Sequence, residues 1–388
     1  MLRILTLSTL FPDVSRPNFG VFVEQQTRAI AARDDLDIRV VAPVGLPPWP
    51  LARHRRYRPL QALPRREAWH GLDVFRPRFV NIPGTGGRFH PTMLVRALRP
   101  LVRNIRRDFP FDLIAAEFFY PDGPAAIALG REFGVPVSIK ARGADIHHWG
   151  TAPATRDMVL AAGRAASGCL AVSNAMRDDM IALGMDGNRI ERSLTGVDAA
   201  RFHPRDRAGA KAALGISGPL VLSTGALIAR KGHDIVIDAV ARLPGVALRI
   251  AGEGPARAQL QAQIDALGVN GRIQLLGSVA HDVMPQWLAA ADVMALASAS
   301  EGLANAWVEA LACGTPIVIP DIGGAREVMV PGAGALVERT ADAFAVGITD
   351  IVDNPPATAA ICAAAQPFSW QANAAHLSDF YHRLVAAG

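Results

Sequence analysis

The sequence predicts an α/β protein built from two open domains, each a largely parallel sheet covered by helices. Three observations predict it. Short β-rich runs alternate with amphipathic helical stretches along the whole chain, as in parallel sheets with crossover helices. The pattern breaks once, near the middle, and then restarts. With 388 residues, half of them hydrophobic, the chain is long enough for about two cores.

In the first half the candidate strands are 3–9, 38–42, 113–116, 137–140 and 169–172, and helical spacing of apolar residues marks 21–33 and 124–133. The second half restarts with candidate strands 220–223, 248–251, 273–276, 293–296 and 317–319. Between 196 and 218, Pro204, Gly209, Gly215 and Gly218 interrupt the pattern and mark the join. The expected division is therefore 1–198, 199–369 and a closing segment 370–388. Ligands of such sheets lie beyond the carboxyl ends of the strands, so two facing sheets predict an interdomain cleft.

Composition excludes several classes. Residues 1–10 are apolar but include Arg3 and run into Phe11-Pro12-Asp13, too short for a signal peptide core or a membrane span of roughly 20 residues. The expected compartment is the cytoplasm. Cys169, Cys313 and Cys362 are far apart and odd in number, which fits buried thiols rather than disulfides or a zinc site. The net charge of +5 is uneven: residues 1–198 carry 27 Lys+Arg against 19 Asp+Glu, and the remainder 13 against 16. Between residues 49 and 107 there are 14 arginines and two acids, Glu67 and Asp73, so the first domain is expected to carry a basic face.

The chemistry concentrates in the second half. Strand 293–296 leads through Glu301-Gly302-Leu303-Ala304-Asn305 into a helix that contains Glu309, with Asn305 as its expected N-cap. Free amides at a helix start hold phosphate. Ionised carboxylates only accept hydrogen bonds, which suits sugar and ribose hydroxyls. Phosphate beside polyol points to a nucleotide sugar. Upstream, Thr224-Gly225-Ala226-Leu227-Ile228-Ala229-Arg230-Lys231-Gly232 follows a strand; its glycines admit a ligand to the backbone, and Arg230 with Lys231 supplies charge for a diphosphate. Gly252-Glu253-Gly254-Pro255 lacks the spacing of a dinucleotide fingerprint and reads as a tight turn, with Pro255 in the first turn of a helix over 256–267. Gly323-Gly324 with Glu327 follows the strand 317–319 and reads either as an amide-bearing ligand loop or as an ordinary turn.

The order of these pieces resembles the retaining family 4 glycosyltransferases of the GT-B fold. The resemblance rests on Gly225 to Lys231-Gly232, Gly252-Glu253-Gly254-Pro255, Leu276-Gly277, Glu301-x7-Glu309, Cys313-Gly314-Thr315-Pro316 and Gly323-Gly324-x2-Glu327. In the first half it includes Gly20, Arg142-Gly143-Ala144-Asp145-Ile146, Ser173 and Thr195-Gly196-Val197-Asp198. Phe368-Ser369-Trp370 is similar to the family's start of a final helix that crosses back to the first domain.

The resemblance implies two facing Rossmann-like domains and transfer of a hexose-type sugar from a nucleoside-diphosphate sugar to a hydroxyl acceptor, a lipid-linked or polysaccharide precursor. It implies a donor site in the second domain: Lys231 for the diphosphate, Glu301 for the transferred sugar, Glu309 for the ribose, with Gly225, Arg230 and the amides around Leu303 and Ala304 completing it. Gly20 would approach the diphosphate from the first domain, where Glu117 and Asp145 join Glu301 and Lys231 as candidate catalytic residues. Two positions depart from the family pattern. Gly225-Ala226-Leu227 stands where an arginine is common, and Glu117 stands where a histidine is common. Glu117 either orients or deprotonates an acceptor hydroxyl, or is a structural partner. His147 and His148 follow Asp145 and line the acceptor side or serve the fold.

No cofactor and no metal are expected. Asp35-Leu36-Asp37 has the spacing of a metal-binding pair but reads as a solvated turn, and cationic side chains with helix amides can stabilise a leaving diphosphate instead. The expected partners are the nucleotide-sugar donor, a glycan or lipid-linked acceptor and an anionic surface on the inner face of the membrane. Two rival readings are a nucleotide-sugar epimerase on a related scaffold and a nucleic-acid-binding protein. The second has only charge in its favour, because no reading helix, zinc module or aromatic platform accompanies the arginines.

Overall fold

In the computed structural model, which describes residues 1–387, two sheets organise the chain into two compact units. The first unit is Met1–Gly196 with the C-terminal stretch from Trp370, and the second is Val197–Ser369.

The sheet of the first unit has eight strands in the order Ile190–Arg192, Gly168–Ala171, Val137–Ala141, Leu113–Ala116, Leu2–Leu7, Leu36–Val41, Leu72–Phe75 and Arg66–Trp69. Its central members are buried on both faces, which is why they read as apolar runs rather than alternating ones. The departure from parallel pairing is Arg66–Trp69, an edge strand joined antiparallel to Leu72–Phe75. Its two-residue turn, His70-Gly71, has positive φ at both positions, 47° and 86°, as such hairpins require.

This hairpin and the 19-residue helix His90–Asp108 fall in the stretch where sequence spacing assigns no elements. The helix buries Leu94, Leu98, Val102 and Ile105, a stripe at i, i+4 and i+3 spacing obscured by the arginines between them. Several of those arginines work inside the fold. Arg99 and Arg103 clasp Glu132, Arg66 pairs with Asp73, and Arg76 is buried against Glu67 and the Pro12 carbonyl. The exposed basic surface is therefore smaller than the arginine count implies. Arg53, Arg55, Arg56 and Arg58 are exposed and make no ion pair among the described residues.

The closing helix, Trp370–Ala386, belongs to this unit and packs on the helix Val21–Ala31. Leu377, Phe380 and Tyr381 enter the core that also holds Ile4, Leu113 and Leu170. Gly168 makes room for the Phe380 ring: a Cβ there would lie 2.7 Å from its Cζ. Ser378 Oγ bonds Asp35, which also takes Arg33, so Asp35 is engaged in holding this helix.

The second unit is a six-stranded, wholly parallel sheet in the order Ile273–Gly277, Ala247–Ala251, Leu220–Thr224, Val293–Ala295, Ile317–Pro320 and Gly334–Val337. Strand order reverses between Leu220–Thr224 and Val293–Ala295, the kind of switch point at whose carboxyl end ligands of such sheets bind. The loops that follow these two strands carry Lys231 and Glu301. Of the cysteines, Cys169 and Cys313 are buried, whereas Cys362 is only partly so.

Phe380→Ala should lower stability by about 3–5 kcal/mol, because it empties a site packed against the sheet. Chemical denaturation would check this, with a clear fall in the unfolding midpoint expected.

Candidate functional site

At the switch point of the second unit, Ala229–Lys231 forms a single 3-10 turn ended by Gly232 at φ 64°. A Cβ on Gly232 would lie 2.0 Å from the Ala297 carbonyl oxygen, so glycine is what lets this turn press on the neighbouring loop. The Ala299 amide donates to the Arg230 carbonyl at 2.7 Å, and the Arg230 guanidinium returns a bond to the Ser300 carbonyl. Thus fixed, Lys231 Nζ reaches Glu301 Oε1 at 2.5 Å. Ser298 Oγ donates to the same oxygen at 2.6 Å, and Arg230 Nη1 stands 3.6 Å from Oε2. Glu301 is buried, at 9% exposure, so its charge depends on these partners.

The double glycine after the next strand fastens Glu301 from the other side. A Cβ on Gly323 would fall 1.8 Å from the Glu301 carbonyl oxygen, and the Gly324 amide donates to the Gly302 carbonyl at 2.9 Å. Gly225 lies along the Lys231 stem, where a Cβ would be 3.4 Å from Cε. Gly252 and Gly254 are likewise spacers: added Cβ atoms would meet the carbonyl oxygens of Gly225 at 1.8 Å and Leu227 at 2.4 Å. Pro255 precedes the N-cap, Ala256, of the helix Arg257–Ala266 instead of entering its first turn, because the Ala256 amide is taken by the Leu227 carbonyl.

The helix Asn305–Ala312 begins one residue earlier than expected. Ala304 is the N-cap in extended conformation, Asn305 is the first helical residue, and no side chain caps the turn. The expected Asn305 cap is thus corrected: inside the helix its side chain cannot curl back onto amides two and three residues ahead. The consequence strengthens the anion reading: the Trp307 amide donates to the Ala304 carbonyl at 3.0 Å, and the amides of Asn305 and Ala306 are not used by a side-chain cap. Leu303 and Ala304 are buried where the loop enters the helix. Glu309 lies further along the helix and pairs with His281 Nε2 at 3.2 Å. Arg201 donates to His281 Nδ1 at 2.8 Å, which leaves Nε2 carrying the proton toward Glu309.

In the first unit, Glu117 and Lys140 are both nearly inaccessible, at 1% exposure. Glu117 ion-pairs with Arg142 and accepts from Gln26 Nε2 at 2.8 Å. Gln26 Oε1 in turn accepts from Lys140 Nζ at 2.8 Å and Arg142 at 3.1 Å, and Lys140 also reaches Ser193 at 3.0 Å. Burial holds the Lys140 ammonium well below its ordinary range, a tendency that nearby Arg142 reinforces and Glu117 opposes. Asp145 is buried, and its carboxylate accepts from the amides of Phe119 at 2.9 Å, Arg142 at 3.0 Å and Gly143 at 2.8 Å. Asp145 therefore ties two loops together. Gly20, at φ 71°, caps the helix Val21–Ala31; a Cβ would be 2.5 Å from the Leu10 carbonyl oxygen. His147 pairs with Asp179 on the surface at 2.8 Å, and His148 lies beside Trp149.

The structure thus brings Gly225, Arg230, Lys231 and Glu301 together, places Glu309 on the following helix, and gathers Glu117 with Arg142 and Lys140 in the other unit. Sequence reasoning missed Ser298, His281, Gln26 and Lys140. Only Lys140 carried a signal, a lysine inside an otherwise apolar strand.

With this geometry in place, comparison with known proteins gives a consistent result. Residues 206–367 match the family of glycosyl transferases group 1, and residues 20–201 match Glycosyltransferase Family 4. The chain is 27% identical over 359 residues to TuaC of Bacillus subtilis, a glycosyltransferase provisionally assigned to teichuronic acid biosynthesis, covering 90% of this chain and 88% of TuaC. It is 34% identical to the D-inositol 3-phosphate glycosyltransferase of Mycolicibacterium gilvum over 52% of this chain, a match that spans about half (48%) of that protein. The fold matches sucrose-phosphate synthase from Thermosynechococcus elongatus (TM-score 0.84, 20% identity, all of both chains). It also matches HepE of Anabaena in complex with UDP-glucose (TM-score 0.76, 22% identity, 99% of this chain and 100% of HepE). Both halves of the chain thus carry glycosyltransferase family domains, and the fold is GT-B. The group 1 match lies in the second unit and the family 4 match almost wholly in the first. The epimerase and nucleic-acid readings gain nothing from them.

His233, 3.0 Å from Ser223 and 1% exposed, generates a prediction about pH. Burial, aided by the Lys231 charge, pushes its pKa from 6.5 down to about 4. The unfolded chain binds a proton near 6.5 and the folded chain only near 4. Stability should therefore be full above pH ~6.5 and fall by roughly 3 kcal/mol as pH drops toward ~4. Denaturation across this window should show the slope, and His233→Gln should flatten that part of it.

Proposed function

We propose that the protein transfers a hexose-type sugar from a nucleoside-diphosphate sugar to a hydroxyl acceptor, with retention of anomeric configuration and without a metal ion. The observation that carries this reading is the pair Lys231–Glu301 at the switch point, beside a helix start that no side chain caps. Lys231, with Arg230, meets the diphosphate, and the amides around Leu303 and Ala304 complete its cradle. In the absence of donor Glu301 is the counter-ion of Lys231. When the diphosphate takes over that lysine, Glu301 is released to accept from the hydroxyls of the transferred sugar. Glu309, oriented by His281, binds the ribose. The leaving phosphate oxygen helps to remove the acceptor proton on the same face of the sugar, so Glu301 orients and does not attack. Gly20 shapes the loop before the first helix, and the first unit receives the acceptor, a lipid-linked or polysaccharide precursor. Glu117 and Asp145 act there by holding the loops that present it.

Screening UDP, GDP and ADP and their sugars by thermal shift identifies the donor, since a ligand of the native state raises the unfolding temperature. With that donor, Lys231→Ala and Glu301→Ala should each reduce kcat/KM by roughly 10²-fold or more. Glu309→Ala should chiefly weaken nucleotide binding. Transfer near wild-type rates by a folded Lys231 or Glu301 variant would remove that residue from the site. Undiminished activity in EDTA, and an unchanged anomeric configuration in the product by NMR, are the expected results for mechanism.

We also propose peripheral docking on an anionic membrane on the cytoplasmic side. Among the described residues no helix is long and apolar enough to cross a membrane. The support is local: Trp49 and Leu51 are 73% and 54% exposed beside Arg53, Arg55, Arg56 and Arg58. Basic side chains near such a surface contribute about 1 kcal/mol each. Vesicles with anionic lipid should co-sediment the protein, neutral vesicles should not, and changing the four arginines to glutamine should abolish pelleting. Equal pelleting with both vesicle types would contradict docking and leave the transferase reading intact.

A further inference from the structure

The first unit contains a cavity of about 330 Å³ that none of the roles above uses. Small-molecule pockets span roughly 300–1,000 Å³, so this one suits a single ring and its substituents. Its wall is aromatic. The rings of Tyr120 and Trp149 lie 5.1 Å apart at 32°, and His90 stands 6.4 and 6.3 Å from them. Tyr120 is fixed from behind, its hydroxyl donating to the Gly87 carbonyl at 2.7 Å. Phe79 adds an edge against His90.

The polar groups of the cavity are few, and their charge balance is specific. Arg16 is the one charged side chain in the lining. Buried Asp13 already takes its guanidinium through two bonds of 2.7 and 3.0 Å, and the same group stacks on Phe19. The cavity is therefore close to neutral. His90 Nε2 meets Asn81 Oδ1 at 2.7 Å, so Nε2 carries the proton. Burial lowers the pKa of His90, which keeps the ring neutral and its Nδ1 an acceptor. Nδ1 has no partner among the described residues.

We propose that this cavity is the acceptor subsite for an uncharged pyranose ring, packed on the partly exposed Trp149 ring with one ring hydroxyl donating to His90 Nδ1. The assignment as acceptor rests on the transferase reading; the binding of a neutral sugar does not. Aromatic faces take the C–H surface of a sugar, and an unpaired acceptor nitrogen takes a hydroxyl proton, whereas an anion would meet a cation already shared with Asp13. His90 is then a positioning residue for the acceptor, and Trp149, backed by the fully buried Tyr120, selects for a ring.

Saturation-transfer NMR on the full chain, with methyl glucopyranoside, galactopyranoside and mannopyranoside and with methyl glucuronide, tests this. At least one neutral glycoside should bind, and more tightly than the glucuronide. Its Kd should rise about tenfold in His90→Ala, the size of one lost hydrogen bond, and its signal should vanish in Trp149→Ala. If either variant fails to fold, His90→Gln and Trp149→Phe replace them, and weaker binding is again expected. Nucleoside diphosphate binding by calorimetry should be unchanged in all variants. A tighter glucuronide, no signal from any neutral glycoside, or binding unaltered by the substitutions would overturn the proposal. If neutral glycosides bind as described but no nucleotide does, the sugar site stands and the transferase reading falls. If nucleotide binds and no glycoside does, the reverse holds.

Discussion

Lys231 and Glu301 meet at 2.5 Å, and much of the second unit's loop structure exists to keep them there. One lies after the first strand of the sheet and the other after the fourth, on either side of the point where strand order reverses. Bringing a cation and a carboxylate together out of water has a desolvation penalty of several kcal/mol per ion, and only good geometry with extra hydrogen bonds offsets it. Both are present. Ser298 adds a donor to Glu301, Gly232 and Gly323 let the flanking backbones approach past any Cβ, and Arg230 stitches one loop to the other. The outcome is a charged pair already in place beside a helix start that no side chain caps, which is the arrangement the proposed donor site uses.

The first unit solves a similar problem differently. Its buried charges, Glu117, Lys140 and Arg142, answer one another through Gln26. This cluster satisfies the polar ends of three strands, and Asp145 pins the adjoining loops by their amides. Glu117 is fully engaged by these partners. The acceptor nitrogen that the proposed sugar site uses lies elsewhere, on His90 in the aromatic cavity.

How much of this was legible in the sequence follows from what leaves a periodic trace. Doubly buried strands such as 113–116 and 317–319 announce themselves as apolar runs, and the observed strands Leu113–Ala116 and Ile317–Pro320 lie where the runs are. The helix His90–Asp108 and the hairpin before it did not, because closely set arginines hid a regular apolar stripe, and only the structure tells which arginines face acids. Lys231 and Glu301 were legible as members of an ordered motif set. Their contact was not, because a separation of 70 residues carries no local signal. Neither was the Glu309–His281–Arg201 relay, whose members come from three separate segments. Asn305 was misplaced by one position, a shift that sequence cannot resolve when alanine takes the capping geometry.

The central claim is that the pair Lys231–Glu301 and the start of the helix Asn305–Ala312 form one anion and sugar site. A crystal structure with the bound nucleoside diphosphate tests it most directly. The account predicts a phosphate oxygen within hydrogen-bond reach of Lys231 Nζ and of the amides near Leu303 and Ala304, with Glu301 freed from the lysine. A diphosphate bound away from Lys231, with the Lys231–Glu301 pair intact beside it, would contradict the account.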